Sequence, residues 1–293
     1  MNPHLSLNPL TDLHQMTVYP FMVNALEAGT IVALMAAFAG WFMVLRRETF
    51  AGHTLSVMSF PGASGAALAG LPLSAGYFCF CVLGALVIAV SSRTEGRRNL
   101  TQESAVIGAV QASGFALGFL FLSLYGGILE NLEALLFGSF LGITTTQVHT
   151  LGAITLGVLL FFLIAGRPLF FASVDEAAAS ARGVPVRLLH MAFLVVLGLA
   201  VAATAQITGV LLVFALLVAP AAAAQQLTAR IGLSLLLSVA FALGIIWVGL
   251  TLAYFSDYSV GFYVATIAFG LYLVCRTARA LAPRLSFGDL VRA

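Results

Sequence analysis

The 293-residue chain has no lysine and very little charge of either sign. Charged residues make up 8% of the sequence, whereas soluble domains carry roughly 25%. Because 61% of the residues are hydrophobic, the chain cannot cover a globule with polar surface, which excludes one large soluble core. No polar stretch is long enough to fold alone, so the composition predicts an all-α protein that crosses a membrane several times.

The missing lysine also excludes one way of using ATP. A P-loop needs a lysine to reach the phosphates, so this chain cannot bind and hydrolyse ATP by that route. The sequence likewise lacks the H-E-x-x-H helix of zinc proteases and the G-x-S-x-G turn of serine hydrolases. We therefore expect that the chain is not an enzyme, and nothing in it indicates a nucleic-acid partner.

Apolar segments fill most of the chain. A membrane-spanning helix needs about 20 residues, within a range near 17–25, and eight or nine spans are predicted. The count depends on two short stretches, one containing Pro220 and the other the acidic stretch Leu129–Gly142. The nine predicted segments are Phe21–Leu45, Thr54–Leu71, Leu73–Val90, Ser104–Tyr125, Val148–Ala165, Leu188–Ile207, Val210–Ala224, Ile231–Tyr254 and Val260–Cys275.

The thirteen basic residues, all arginines, can be placed on one side of the membrane. Basic loops stay in the cytoplasm, so the N-terminus is predicted outside and the C-terminus inside. We expect a polar tail of residues 1–20, one transmembrane domain of residues 21–276 and a basic cytoplasmic tail of residues 277–293. Five acidic residues and no arginine then face outward, where they attract cations. Among them, Glu27 is ionisable within an apolar segment and is a candidate pathway residue.

The longest inner loop has the signals of a short helix over Val174–Arg182. Ser173 and Glu176 have the spacing of a capping box, in which the serine caps the helix. Asp175 and Glu176 also suit the positive N-terminal end of a helix.

The end of this helix is marked as clearly as its start. Arg182 is predicted in the last turn, Gly183 in the left-handed position after it, and Pro185 prevents continuation. An isolated helix this short is marginal in water, so we expect another protein to dock on it.

Several blocks of sequence, taken together, resemble the membrane permease subunits of ABC importers for zinc and manganese. The blocks occur in family order between about Ala25 and Cys275. They are Phe42-Met43-Val44-Leu45-Arg46-Arg47, Gly52-His53-Thr54-Leu55-Ser56, Phe60-Pro61-Gly62, Glu103 to Gly108, Leu135-Leu136-Phe137-Gly138 with Leu141-Gly142, Arg182-Gly183-Val184-Pro185-Val186, and Gly209-Val210-Leu211-Leu212-Val213 running into Ala215 to Ala222.

The resemblance implies a vitamin-B12-importer-like (type II) ABC permease in the bacterial inner membrane. Family members form a homodimer, with two ATPase subunits below and a metal-binding solute receptor above. The helix at about 174–182 would then be the coupling helix that inserts into the ATPase. Its coupling residues would be Ser173, Asp175, Glu176, Arg182, Gly183 and Pro185.

His53 is the candidate transient metal ligand. Many family members have aspartate at this position and histidine four residues later, where this chain has Val57. If this segment lines the interface of a dimer, two His53 imidazoles approach one axis, which suits a weak transport site. A similar histidine before a Phe-Pro-Gly occurs in a subgroup of zinc permeases, so the resemblance favours zinc over manganese. Because Arg47 lies six residues before His53, a mid-membrane site requires residues 48–52 to dip inward. His190 is expected at the membrane interface.

A second group of candidates would form the pathway through irregular backbone. Interrupted helices at membrane depth mark transport sites when they line a cavity. The predicted pathway and helix-break residues are Ser56, Ser59, Pro61, Gly62 and Pro220.

Two other functions stay open. A permease for a siderophore, haem or cobalamin keeps the architecture, and Val57 in place of histidine is compatible with it. A stand-alone secondary carrier or channel works without an ATPase, but it leaves the capped inner helix unexplained.

Overall fold

The computed structural model describes residues 15–16, 18–91, 100–125, 138, 142–256 and 258–281. Within them the chain forms α-helices joined by short turns, and no strand. The helices are α1 Pro20–Leu45, α2 Thr49–Ala69, α3 Leu73–Ser91, α4 Leu100–Tyr125, α5 Thr145–Val174, α6 Glu176–Ala181, α7 Val186–Thr208, α8 Val210–Leu227, α9 Ile231–Tyr254 and α10 Val260–Leu281.

Each of the nine predicted apolar segments coincides with one helix, so the all-α class is confirmed. Seven helices are long and apolar enough to cross a membrane, and α8 adds a shorter apolar stretch. α2 has 21 residues but is less apolar because it carries serines and glycines. α5 runs nine residues beyond the predicted end at Ala165. The stretch Leu129–Gly142 and both predicted tails lie largely outside the described residues.

The first helix lies at the centre of the bundle. α1 packs against α5, α7, α8 and α9, and most of its inner face consists of buried alanine and glycine. Small residues let helix backbones approach closely, which is how helices associate where lipid removes the hydrophobic driving force. The closest approach is at Gly40, where an added Cβ would lie 1.9 Å from the carbonyl oxygen of Leu217 in α8.

Replacing Gly40 with alanine is expected to destabilise the protein by about 1–3 kcal/mol, because α1 and α8 must separate to admit a methyl group. Gly244→Ala in α9 is the matched control, since nothing lies within 4 Å of the position that its Cβ would take. Thermal unfolding in detergent compares the two. Equal midpoints for both variants would contradict the close packing of α1 on α8.

The predicted helix breaks at Pro61-Gly62 and Pro220 are wrong. α2 and α8 continue through their prolines without interruption. A proline removes one backbone hydrogen bond, and neighbouring helices and hydroxyl side chains compensate for that loss in a buried helix.

The N-terminal cap predicted for the inner helix is also wrong. Ser173 lies in the last turn of α5, where its hydroxyl donates to the carbonyl oxygen of Leu169 at 2.5 Å. The cap of α6 is Asp175, whose carboxylate accepts a hydrogen bond from the Ala178 amide at 2.9 Å. The apolar α5 continues up to Val174, so the capping position moves two residues along and Glu176 becomes the first helical residue.

The C-terminal end of α6 agrees with the prediction. Arg182 is the C-cap, and Gly183 takes the left-handed conformation with φ of 80°. The amide of Val184 then donates to the carbonyl oxygen of Ala179 at 3.1 Å, which closes a Schellman motif. α6 is therefore a rigidly terminated turn of helix between the ends of α5 and α7.

Candidate functional site

A buried group of ionic side chains joins three parts of the chain beside α6. This Arg46 cluster consists of Arg46, Glu48, Ser173 and His190. Arg46 is 7% exposed, and Glu48 and His190 are 3% exposed. The Arg46 guanidinium donates from Nε to Glu48 Oε1 at 3.0 Å and from NH1 to Ser173 Oγ at 3.1 Å. It also lies over the Phe193 ring, 5.0 Å from the centroid.

His190 completes the cluster through its Nδ1 atom. Nδ1 lies 2.9 Å from Arg46 NH2 and 3.3 Å from Glu48 Oε1. It cannot accept from the first and donate to the second at once. Arginine has only donors, and its contact is the shorter, so we assign Nδ1 as the acceptor from Arg46. The cluster then contains one positive and one negative charge.

Two members of the Arg46 cluster lie on either side of α6 in the chain. Ser173 comes two residues before the cap of α6, and His190 lies in the second turn of α7, the next helix after α6. Arg46 and Glu48 form the turn between α1 and α2. Arg47 between them has φ of 60°, a left-handed conformation that is unfavourable for arginine. The network therefore connects the residues on both sides of α6 to the turn that precedes α2.

His53 lies near the start of α2. It is the fifth residue of the helix, or about 6 Å along the axis from Thr49. Glu48 is the N-cap and residues 49–52 form the first turn of α2, and the predicted inward dip of residues 48–52 into the membrane stays a prediction. The ring is half-buried and makes an edge contact with Phe214 of α8, at 5.0 Å between centroids. Its Nδ1 is buried without a hydrogen-bond partner among the described residues.

One chain supplies little else to bind a cation at His53. Val57, one turn along α2, is buried. Within the described parts of the chain, no group of three or more His, Cys, Asp or Glu side chains could hold a metal ion. The imidazole therefore has the unsatisfied nitrogen that a ligand needs, and any further ligands must come from outside this set.

The hydroxyls of the predicted pathway serines donate hydrogen bonds to backbone carbonyl oxygens. Ser56 donates to the carbonyl oxygen of His53 at 2.7 Å, and Ser59 donates to that of Ser56. Both side chains are buried. Gly62 is pressed against α3, where an added Cβ would lie 2.5 Å from the Gly76 carbonyl oxygen. These residues pack helices within one chain, and their pathway role stays a prediction.

Glu27 is far from His53. It is exposed in the second turn of α1, while α2 follows the other end of that helix. Eighteen residues separate Glu27 from Leu45, which is about 27 Å of helix. Asn24, one turn before Glu27, donates to the carbonyl oxygen of Ile143 at 3.0 Å. The two candidate metal contacts therefore belong to opposite ends of the bundle.

The predicted coupling residues form an exposed surface around α6. Asp175, Glu176, Arg182, Gly183 and Pro185 are all exposed, whereas Ala179 is fully buried against the bundle. The Arg182 guanidinium lies 5.4 Å from the centroid of the Phe171 ring in α5. This arrangement fixes one face of α6 to its own chain and leaves the other face exposed.

Comparison with known proteins gives one consistent result. The sequence matches the ABC 3 transport family over residues 18–279. It is 28% identical over 258 residues to the manganese transport system membrane protein MntC of Halalkalibacterium halodurans, covering 88% of this chain and 87% of that protein. It is 30% identical over 251 residues to the chelated iron transport system membrane protein YfeC of Yersinia pestis, covering 85% and 83%.

A solved structure has the same fold over nearly the whole chain. PsaBC from Streptococcus pneumoniae, determined in complex with Fab, superposes with a TM-score of 0.80 and 26% sequence identity. The match covers 96% of this chain and 99% of that chain.

Proposed function

The chain belongs to the ABC 3 transport family, and on that basis we propose that it is the membrane permease of an ATP-driven importer for divalent metal ions. The family match covers residues 18–279, which is the whole helical bundle. Curated relatives are named for manganese and for chelated iron transport, which supports a metal cargo. This chain would form the transport pathway. A separate subunit, which has the P-loop that this sequence lacks, would hydrolyse ATP.

The observation that carries the proposal is the pairing of an exposed inner helix with a buried ionic cluster at its base. α6 offers its outer face to an ATPase, and the Arg46 cluster connects both flanks of α6 to the turn that starts α2. A displacement of α6 by the ATPase would therefore pull on α2, which carries His53. Two-state repacking of such a network is a physical route from nucleotide to cargo.

We propose zinc as the cargo and His53 as a transient ligand near the inner end of the pathway. Neutral imidazole suits zinc better than the hard cation manganese, which prefers carboxylate oxygen. One chain offers a single imidazole, so a homodimer with a His53 from each copy would complete a weak site. Glu27, at the opposite end of α1, would receive the ion from an outer metal-binding receptor. No metal is expected to stay bound.

Metal uptake into vesicles tests this function. The chain is reconstituted with its ATPase, and uptake of zinc, manganese and iron is measured with ATP and in competition. We expect ATP-dependent uptake with zinc as the preferred ion. Preference for manganese or iron would overturn the choice of metal, and uptake of a siderophore or haem instead would favour the chelate permease. Equal transport with no ATPase present would indicate a stand-alone carrier.

His53→Ala is expected to lower the rate of zinc uptake by about tenfold or more, because a ligand with its free nitrogen inside the site is lost. His149→Ala is the control, since His149 is exposed at the start of α5, at the other end of the bundle. Both rates are measured in the same vesicles at matched protein levels. Normal uptake by His53→Ala would remove this residue from the site without affecting the family assignment.

A further inference from the structure

The outer surface of the bundle contains an apolar crevice that the transport mechanism does not use. It has a volume of about 670 Å³ and lies between α1, α5 and α9. Its floor is aromatic, with the Phe42 and Phe162 rings stacked at 4.9 Å between centroids. Leu163, on its wall, is 78% exposed. This volume is within the range of ligand-binding cavities, about 300–1,000 Å³.

One arginine lines the crevice and a second directly precedes a lining residue. Among the described residues, Arg167 is the only charged one in the lining, and Ile231, which also lines the crevice, follows Arg230 in the chain. Both arginines are exposed, and within the described residues neither guanidinium has an ion pair or a side-chain hydrogen bond. The crevice therefore combines an apolar length with unpaired positive charge.

We propose that the crevice binds one anionic phospholipid, with an acyl chain over the aromatic floor and the phosphate group between Arg167 and Arg230. Basic pockets between helices on the inner side of membrane proteins hold such headgroups, and each nearby arginine strengthens the attraction. Gly166 keeps the crevice open beside Phe42, because it places no side chain there.

A second copy of this chain fits the crevice less well than a lipid. The dimer suggested by His53 would involve the side of the bundle that contains α2, and α2 packs against α3, α4, α7 and α8. The crevice is formed by other helices, α1, α5 and α9. Unpaired arginines facing the same arginines of a second copy would also repel each other.

Tryptophan fluorescence can report lipid in the crevice. The chain has two tryptophans; Trp41 lines the crevice, whereas Trp247 is exposed elsewhere on α9. Trp247→Phe leaves Trp41 as the sole tryptophan in the 293-residue chain. This protein is reconstituted in phosphatidylcholine vesicles containing either brominated phosphatidylglycerol or brominated phosphatidylcholine, because a bromine near Trp41 quenches its emission.

We expect brominated phosphatidylglycerol to quench Trp41 at a much lower mole fraction than brominated phosphatidylcholine does. In the Arg167→Gln/Arg230→Gln variant, the preference for phosphatidylglycerol over phosphatidylcholine, measured as the ratio of the mole fractions that give equal quenching, should fall by about tenfold. Arg276→Gln/Arg279→Gln removes the same charge from α10 and should leave the preference unchanged. Gly166→Leu should reduce quenching by both lipids, because its Cβ has ordinary contact space near Phe42 and its side chain enters the crevice.

Other outcomes would overturn the proposal. Equal quenching by both lipids would exclude selection by charge. An equal fall in preference in both double variants would exclude a local role for Arg167 and Arg230. Weak quenching by either lipid, together with a dimer that Gly166→Leu dissociates, would show that a second copy covers the crevice. None of these results depends on transport, so the lipid site and the proposed function fail separately.

Discussion

Replacing Glu48 with leucine is expected to lower the free energy of unfolding by about 3–5 kcal/mol, because the buried Arg46 guanidinium loses its carboxylate. The Arg46 and Glu48 side chains are 5% and 2% exposed, with 3.0 Å between their charged atoms. Water therefore cannot replace the missing partner. The shift is measured by unfolding in detergent, with wild type alongside.

Three further variants, Arg47→Gln, Arg46→Met and Arg46→Met/Glu48→Leu, separate the ion pair from general disruption. Arg47→Gln is the neighbouring control, since Arg47 is exposed, and it should change stability by no more than about 0.5 kcal/mol. Arg46→Met/Glu48→Leu removes both charges and should be less destabilised than the sum of the two single variants. Strict additivity in this cycle would contradict a direct interaction between Arg46 and Glu48.

The conservative Glu48→Gln tests the functional role of the cluster. It keeps the shape of the side chain but removes the charge that holds Arg46 between α1 and α7. We expect the ATPase still to bind and to hydrolyse ATP, while the number of ions transported per ATP falls severalfold. A merely structural role would lower the yield of folded complex and leave this ratio at the wild-type value.

Most of the fold could be predicted because it depends on local sequence. Apolar runs of membrane length set the helices, and Gly183 followed by Pro185 set the end of α6. The wrong predictions of a Ser173 cap and of a helix break at Pro61 also have local causes. The apolar α5 continues past Ser173, so this serine lies inside a helix and caps none, and the buried α2 continues through Pro61.

The Arg46 cluster could not be predicted, since its members are up to 144 residues apart in sequence. His190 is buried and in contact with Arg46. Nothing in the residues around His190 indicates that partner. The one available signal was Glu48, an acidic residue two positions after Arg46 at the end of an apolar segment. The contacts among Arg46, Ser173 and His190 form only when α1, α5 and α7 pack together.

A bulky charge on the free face of α6 is expected to abolish transport without unfolding the permease. Ala177 is exposed in the middle of the first turn, and Ala179, which faces the bundle, is buried. Ala177→Arg should therefore leave the unfolding midpoint within about 0.5 kcal/mol of wild type. Its long side chain would occupy the space that an ATPase needs in order to receive α6. We expect loss of ATPase co-purification and a fall in ATP-dependent uptake of at least about a hundredfold, as for the loss of a central interface contact.

Thr146→Arg is the matched control for this variant. Thr146 is exposed in the first turn of α5, at the end of that helix remote from α6. An arginine there should leave both ATPase binding and uptake unchanged. If Ala177→Arg bound the ATPase and transported metal as wild type does, α6 would not be the docking helix. The route from α6 through the Arg46 cluster to α2 would then be excluded as well, because motion of the ATPase would have to enter the bundle elsewhere.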